Sequence, residues 1–357
     1  MPGQQGGGSC PPDDQGHAEP FEGARHWHRP GDRRTGRLYL PLGGALPDTI
    51  VISECFARDG LQNEPDFVPT QAKIALIDRF SALGLPRIEA TSYSNPEVVP
   101  QFADASDVLR GIARRDGAFY KATCANGRAV DRAVADLDAG AGAGEISLLA
   151  SASEAHSLKN LRAGRAAQWD RIAGMAAAAG DRFRVVGSLS VAFGCPFEGH
   201  VDPGVVAGDC ARFADLGIRH VSLGDTTGLA TPQSVRALWR TVERAAPGVT
   251  LIAHFHDTRG AGLANCVAAY EAGCRWFDTS FGGVGGHPAR VRYGGGFTGN
   301  VATEDLVNLF ESMGIPTGID LDAIIGTAQF CEEVLGRMLN GRSTRTGLSP
   351  FIGGTPP

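Results

Sequence analysis

Two histidines one residue apart, His254-Phe255-His256, lie in a run of apolar residues that reads as a β-strand. On a strand, residues i and i+2 face the same side, so both imidazoles can enter one site. Two imidazoles and a carboxylate suit a divalent metal. Asp59, at the end of the first strand, is the natural carboxylate, and the neighbouring Arg58 is suited to offsetting oxyanion charge that develops during a reaction. Adjacent residues aim at one point only where the chain turns, and Gly60 is expected to permit that turn. The plainer alternatives are a structural Arg58–Glu89 salt bridge and a pair of core histidines satisfied by Asp225 and Asp257.

These residues need a frame that gathers strand ends. From about residue 49 the chain repeats a strand-then-helix rhythm, with strands expected at 49–55, 87–90, 118–122, 145–149, 183–190, 220–223, 250–255 and 276–278. Helices are expected between them, at 70–83, 128–139, 205–216, 231–246 and 260–272, with Gly84, Gly140, Gly217 and Gly273 as C-caps. Eight such units fit an α/β fold of the (β/α)₈ TIM-barrel type, whose reactive groups sit at the C-terminal ends of the strands. The mostly apolar strands predict helical cover, and the doubly wound rival lacks its GxGxxG turn. Two extra C-terminal helices are expected at 303–313 and 321–339. The expected organisation is an irregular or disordered extension over 1–48, a catalytic barrel with its C-terminal helices over 49–342, and a loose tail over 343–357.

Composition narrows the function. A net charge of −6 with intermixed signs argues against a nucleic-acid partner. No apolar run reaches the length of about eighteen residues that spans a membrane, and eight cysteines without a CxxC pair read as inert thiols in a reducing compartment. The N-terminus lacks a secretory signal, so a cytoplasmic location is the default expectation. A homodimer or higher homo-oligomer is left open.

The segments Arg58-Asp59-Gly60-Leu61-Gln62-Asn63-Glu64, Ile88-Glu89-Ala90-Thr91-Ser92, Phe193-Gly194-Cys195-Pro196, Ser222-Leu223-Gly224-Asp225-Thr226-Thr227-Gly228, His254-Phe255-His256-Asp257 and Gly299-Asn300-Val301-Ala302 occur in one order. Together they resemble the hydroxymethylglutaryl-CoA lyase family. The resemblance implies a Mg²⁺ or Mn²⁺ ion held by Asp59, His254, His256 and Asn300, with Arg58 as the arginine that stabilises an enolate. Glu89 and Asp225 match acidic site residues, Asp225 being the better candidate for proton transfer. Lys159 and Asn160 fall where the family approaches coenzyme A, which enters as part of an acyl-CoA substrate.

One departure stands out. The family carries a catalytic loop cysteine, whereas the matching stretch here is Gly285-Gly286-His287-Pro288, followed by Arg290 and Arg292. Neutral imidazole is abundant at pH 7, so His287 can serve as the proton-transfer residue in place of a thiol. Arg290 and Arg292 are candidates for a distal carboxylate or the CoA phosphates. The resemblance therefore implies carbon–carbon cleavage of a 3-hydroxy-3-methylglutaryl-CoA-like thioester. Alternatives are a Claisen-condensing synthase or 2-oxo acid aldolase using the same metal site, and a non-catalytic binding protein on an old barrel.

Overall fold

Strands and helices alternate along the chain, and each strand pairs in parallel with the next until the last returns to the first. The computed structural model describes residues 50–286 and 299–352. The elements are β1 (Val51–Glu54), α1 (Thr70–Ala82), β2 (Arg87–Ser92), α2 (Ala105–Gly111), β3 (Phe119–Cys124), α3 (Gly127–Asp138), β4 (Glu145–Ser151), α4 (Glu154–Leu161), α5 (Arg165–Ala179) and β5 (Arg184–Ser190). They continue with α6 (Pro203–Asp215), β6 (His220–Asp225), α7 (Pro232–Ala245), β7 (Thr250–Phe255), α8 (Gly262–Glu271), β8 (Trp276–Thr279), α9 (Thr303–Ser312), α10 (Ile324–Leu335) and α11 (Ser343–Thr346). The eight strands close a barrel, as the strand–helix rhythm predicts.

Local chemistry explains the joints. Gly84, Gly140, Gly217 and Gly273 all adopt positive φ, between 76° and 98°, and end helices just before strands. Outside the barrel, alternate strand residues such as Ile52, Ile88, Leu148, Leu189 and Phe277 join Leu76, Phe80, Phe213 and Phe310 of the helices in one apolar cluster. Packing there is close: a Cβ on Gly187 would lie 2.7 Å from the Phe213 ring.

The inside of the barrel carries charged side chains, although its strands read as mostly apolar. Arg87 Nε donates to Glu145 Oε1 at 2.6 Å and its Nη1 to Asp278 Oδ1 at 3.0 Å. Arg184 Nε donates to the other oxygen of Glu145 at 2.6 Å, and Ser222 Oγ to Asp278 Oδ2 at 2.9 Å. Charges buried this deeply persist because each is paired and hydrogen-bonded. They tie β2, β4, β5, β6 and β8 across the interior.

The C-terminal expectations need two corrections. Instead of a loose tail from residue 343, Ser343–Thr346 forms α11, and Ser343 and Thr344 are buried. Ser343 N–H donates to Asp305, Thr344 Oγ1 to Glu304 and Ser349 N–H to Asn308, which fixes this segment against α9. The expected 321–339 helix is shorter, Ile324–Leu335, because Gly336 turns left-handed at φ 62°. The extension expected over 1–48 lies outside the described residues. Among the described residues no helix is long and apolar enough to cross a membrane.

Candidate active site

β1 ends in a single π-helical turn, Phe56–Gly60, in which Gly60 N–H reaches back to Cys55 O at 3.1 Å. Such turns widen the helix by one residue and re-aim side chains. Gly60 itself has ordinary right-handed backbone, φ −57°, so the expected glycine turn is corrected: the π turn, not left-handed glycine, brings Arg58 and Asp59 together. Arg58 Nη1 lies 3.0 Å from Asp59 Oδ1 and its Nε 2.7 Å from Glu89 Oε1. Burial alone would raise the Glu89 carboxyl, but Arg58 and Lys121 outweigh it and hold Glu89 down at about 2. Asp59 is likewise buried and yet lowered, through Arg58 and the two imidazoles.

Across the mouth, one ligand atom each from Asp59, His254 and His256 lies within 4.8 Å of the others. His254 Nδ1 faces Asp278 Oδ2 at 3.2 Å, and His256 Nδ1 faces the Thr226 carbonyl at 3.0 Å. Both partners are acceptors, so both Nδ1 atoms carry hydrogen, and each ring in its neutral form turns an Nε2 lone pair inward. Those two nitrogens are 3.2 Å apart, an arrangement that a shared cation relieves. Asn300, bridged to His256, donates through Nδ2 to Asp59 at 2.7 Å and to Val284 O at 2.9 Å, while its buried Oδ1 has no hydrogen-bond partner. Two imidazole nitrogens, a carboxylate and an orphaned amide oxygen fit a divalent cation that takes oxygen and nitrogen donors.

Arg58, Asp59, His254, His256, Lys159 and Asn160 line one cavity of about 930 Å³. α4 supplies the last two, capped by Ser153 Oγ accepting from His156 N–H. Asn160 Nδ2 donates to His156 Nε2 at 2.7 Å, so the His156 Nδ1–H is directed to Ser151 Oγ at 3.0 Å, whose proton goes to Ser153 O. Burial pushes His156 down to about 4, so it stays neutral and orients the Asn160 amide. Lys159 Nζ sits 3.6 Å above the Phe197 ring.

Asp225 is not brought into this group. Its carboxylate accepts from the Leu229 and Ala230 N–H groups at 2.8 and 3.1 Å, shaping the turn after β6, and burial raises it to about 6. Its neighbours Gly224 and Thr226, rather than Asp225, line the cavity. The expected histidine partners are also corrected, since Asp257 accepts from Gly262 N–H at 2.6 Å while Asp278 serves His254. Asp278, Lys121 and Arg87 were not singled out from sequence. The signal was present as polar residues at every second position, Arg87/Glu89 and Lys121/Thr123, in strands otherwise read as apolar. His287, Arg290 and Arg292 lie outside the described residues.

Comparison with known proteins places the chain in a family. The HMGL-like family profile matches residues 49–331. The mitochondrial hydroxymethylglutaryl-CoA lyase of Mus musculus is 40% identical over 300 residues, covering 84% of this chain and 90% of the relative. Among solved structures, an HMG-CoA lyase from Acinetobacter baumannii in complex with coenzyme A and 3-methylmalate has TM-score 0.79 and 37% identity, over 86% of this chain and 98% of that one. The hydroxymethylglutaryl-CoA lyase of Pseudomonas aeruginosa has TM-score 0.79 and 36% identity, over 84% and 98%. The cytoplasmic expectation is overturned here, because the mouse relative and the other vertebrate relatives are mitochondrial enzymes. With a closed barrel, a cation-ready mouth and a match spanning most of its length, this chain belongs to the HMGL-like family.

Proposed function

We propose that this chain, a carbon–carbon lyase by family, cleaves a 3-hydroxy-3-methylglutaryl-CoA-like thioester between C2 and C3 through a thioester enolate. The observation that carries the reading is the convergence of Arg58, Asp59, His254 and His256 with Lys159 and Asn160 on one cavity. Asp59, His254, His256 and Asn300 are the residues that would hold a Mg²⁺ or Mn²⁺ ion. When bound there, such an ion supplies Lewis acidity that makes a C3 hydroxyl easier to deprotonate.

The protein's own groups account for the rest. Arg58 is fixed by two carboxylates, Glu89 and Asp59, so its guanidinium needs little reorganisation as negative charge moves onto the thioester oxygen. Glu89 acts through Arg58 as a positioning residue. Lys159 and Asn160, which line the same cavity, are assigned to the coenzyme A portion, with His156 holding the Asn160 amide. His287 follows Gly286, which lines the cavity, and is assigned the proton transfer that completes the enolate's conversion to the acyl product. Arg290 and Arg292 are assigned to anionic ends of the substrate. The sequence of events is transfer of the C3 hydroxyl proton to His287, cleavage of C2–C3 with its electron pair passing into the enolate as C3 becomes a ketone carbon, and return of the proton from His287 to C2.

The test is a mass-spectrometric screen of 3-hydroxyacyl-CoA thioesters with Mg²⁺ or Mn²⁺ supplied. Cleavage of the methylglutaryl compound into acetyl-CoA and acetoacetate is expected. Turnover of other 3-hydroxyacyl thioesters alone would overturn the acyl assignment.

A further inference from the structure

Beneath the Asp59–His254–His256 cluster lies a second convergence of donors. Cys55, His254 and Asp278 each offer one ligand atom, and these atoms also lie within 4.8 Å of one another. They stand at adjoining strand ends: His254 is register partner to Asp278, and Cys55 N–H donates to Thr279 O at 2.8 Å. We propose that Cys55, His254 and Asp278 form a distinct site for a thiophilic divalent cation such as Zn²⁺ or Cd²⁺, whose filling excludes a cation from the Asp59–His254–His256 cluster.

The donor set carries the first half. A thiolate, an imidazole and a carboxylate select zinc-like ions over Mg²⁺, which prefers oxygen. A tetrahedral zinc site with bonds of about 2.0–2.3 Å needs donor atoms about 3.5 Å apart, within reach by side-chain shifts of about an ångström. The Cys55 thiol is not committed elsewhere, its sulfur contacts being the long ones to Ser53 O at 3.8 Å and Ser53 Oγ at 4.0 Å. Arg87 occupies Asp278 Oδ1, whereas Oδ2 faces His254 and keeps a lone pair beside the hydrogen bond it accepts from Ser222 Oγ. Both His254 and Asp278 line the cavity, so an ion has a route in.

Exclusion follows from His254 being one ring with two faces. Its Nε2 looks toward His256 and its Nδ1 toward Asp278. A cation on Nδ1 takes the lone pair there and leaves the proton on Nε2, which then donates to His256 and cannot ligate above. On filling, the Cys55 thiol proton leaves to solvent as the metal–sulfur bond forms. The exclusion half rests on the metal role assigned to the upper cluster; the sulfur site does not.

Full-length protein stripped of metal with a chelator is titrated with Cd²⁺, following the ultraviolet thiolate-to-cadmium charge-transfer band. Wild type and H256A are expected to develop the band, and C55S to lack it while showing the wild-type circular dichroism spectrum. Cys55→Ala provides a second removal of the sulfur should the serine variant misfold. In protein preloaded with Mn²⁺, the band is expected to grow in step with release of Mn²⁺ seen by electron paramagnetic resonance. Absence of the band in wild type, or its persistence without Cys55, overturns the site. A band that grows while Mn²⁺ stays bound overturns the exclusion and leaves the lyase reading intact.

Discussion

The two sides of β1 bury carboxylates in opposite states. Toward the barrel mouth, Asp59 and Glu89 face Arg58 and stay ionised, Glu89 at about 2. Toward the outer helices, Glu54 and Glu304 meet only neutral donors, and burial raises them to about 8 and about 7. Glu54 accepts from the Phe56 and Phe281 N–H groups and pairs with Thr303 Oγ1 at 2.6 Å; Glu304 accepts from Gly282 N–H and Thr344 Oγ1. The residue type is the same and the burial similar, so the partner decides the charge. Inside, fixed charge is kept for a cation and a developing anion. Outside, carboxyls that keep their protons to a higher pH serve as hydrogen-bond hubs that hold the chain where it leaves β8.

If that contrast is right, changes at the mouth abolish chemistry and leave the fold, whereas changes outside reshape stability. The largest effect is expected from His254→Ala, which removes a donor from the cation cluster. Bound Mn²⁺ and nearly all turnover should be lost, with thermal melting little changed. Full metal occupancy by elemental analysis would contradict the ligand assignment. His287→Ala comes next, with kcat falling by ~10²–10⁴ and metal content constant. The pH–rate profile should also lose its limb near histidine's titration, and an unchanged kcat and profile would make His287 a bystander. Arg58→Lys keeps the charge but loses the fork that Glu89 and Asp59 grip, so a fall in kcat of about 10² with little change in KM is expected. A change confined to KM would place Arg58 in ground-state binding instead.

The smallest effect lies outside the barrel. A carboxyl whose folded pKa is raised stabilises the fold fully below its unfolded pKa, near 4.5 for Glu54, and loses that contribution as pH rises through about 8. Wild-type stability should therefore decline as pH rises toward 8. Glu54→Gln, which keeps an acceptor for Phe56 and Phe281 and gives Thr303 a donor, should flatten that decline. Parallel urea-unfolding curves of the two proteins across this range would falsify the neutral-acid reading of Glu54.

Much of this was legible in the sequence, and the reason is local. Strand ends at His254-Phe255-His256 and Arg58-Asp59 show their chemistry through short-range period and position, and the positive-φ glycines mark helix ends. What escaped depends on distant contacts. The π turn after β1 leaves no distinct residue signature, and Asp225 looks like any strand-end acid until Leu229 and Ala230 claim both its oxygens. The tail's order comes from acceptors on α9, which nothing within residues 343–352 announces.

The central claim is that the mouth of this barrel breaks a carbon–carbon bond in an acyl-CoA using a divalent cation held by Asp59, His254, His256 and Asn300. The most direct measurement is single-turnover cleavage of 3-hydroxy-3-methylglutaryl-CoA by the metal-stripped full-length chain, with and without added Mn²⁺, read by mass spectrometry of the CoA products. The account predicts acetyl-CoA only when Mn²⁺ is present, and none from His254→Ala under the same conditions. Equal acetyl-CoA formation by the stripped protein without metal would contradict it.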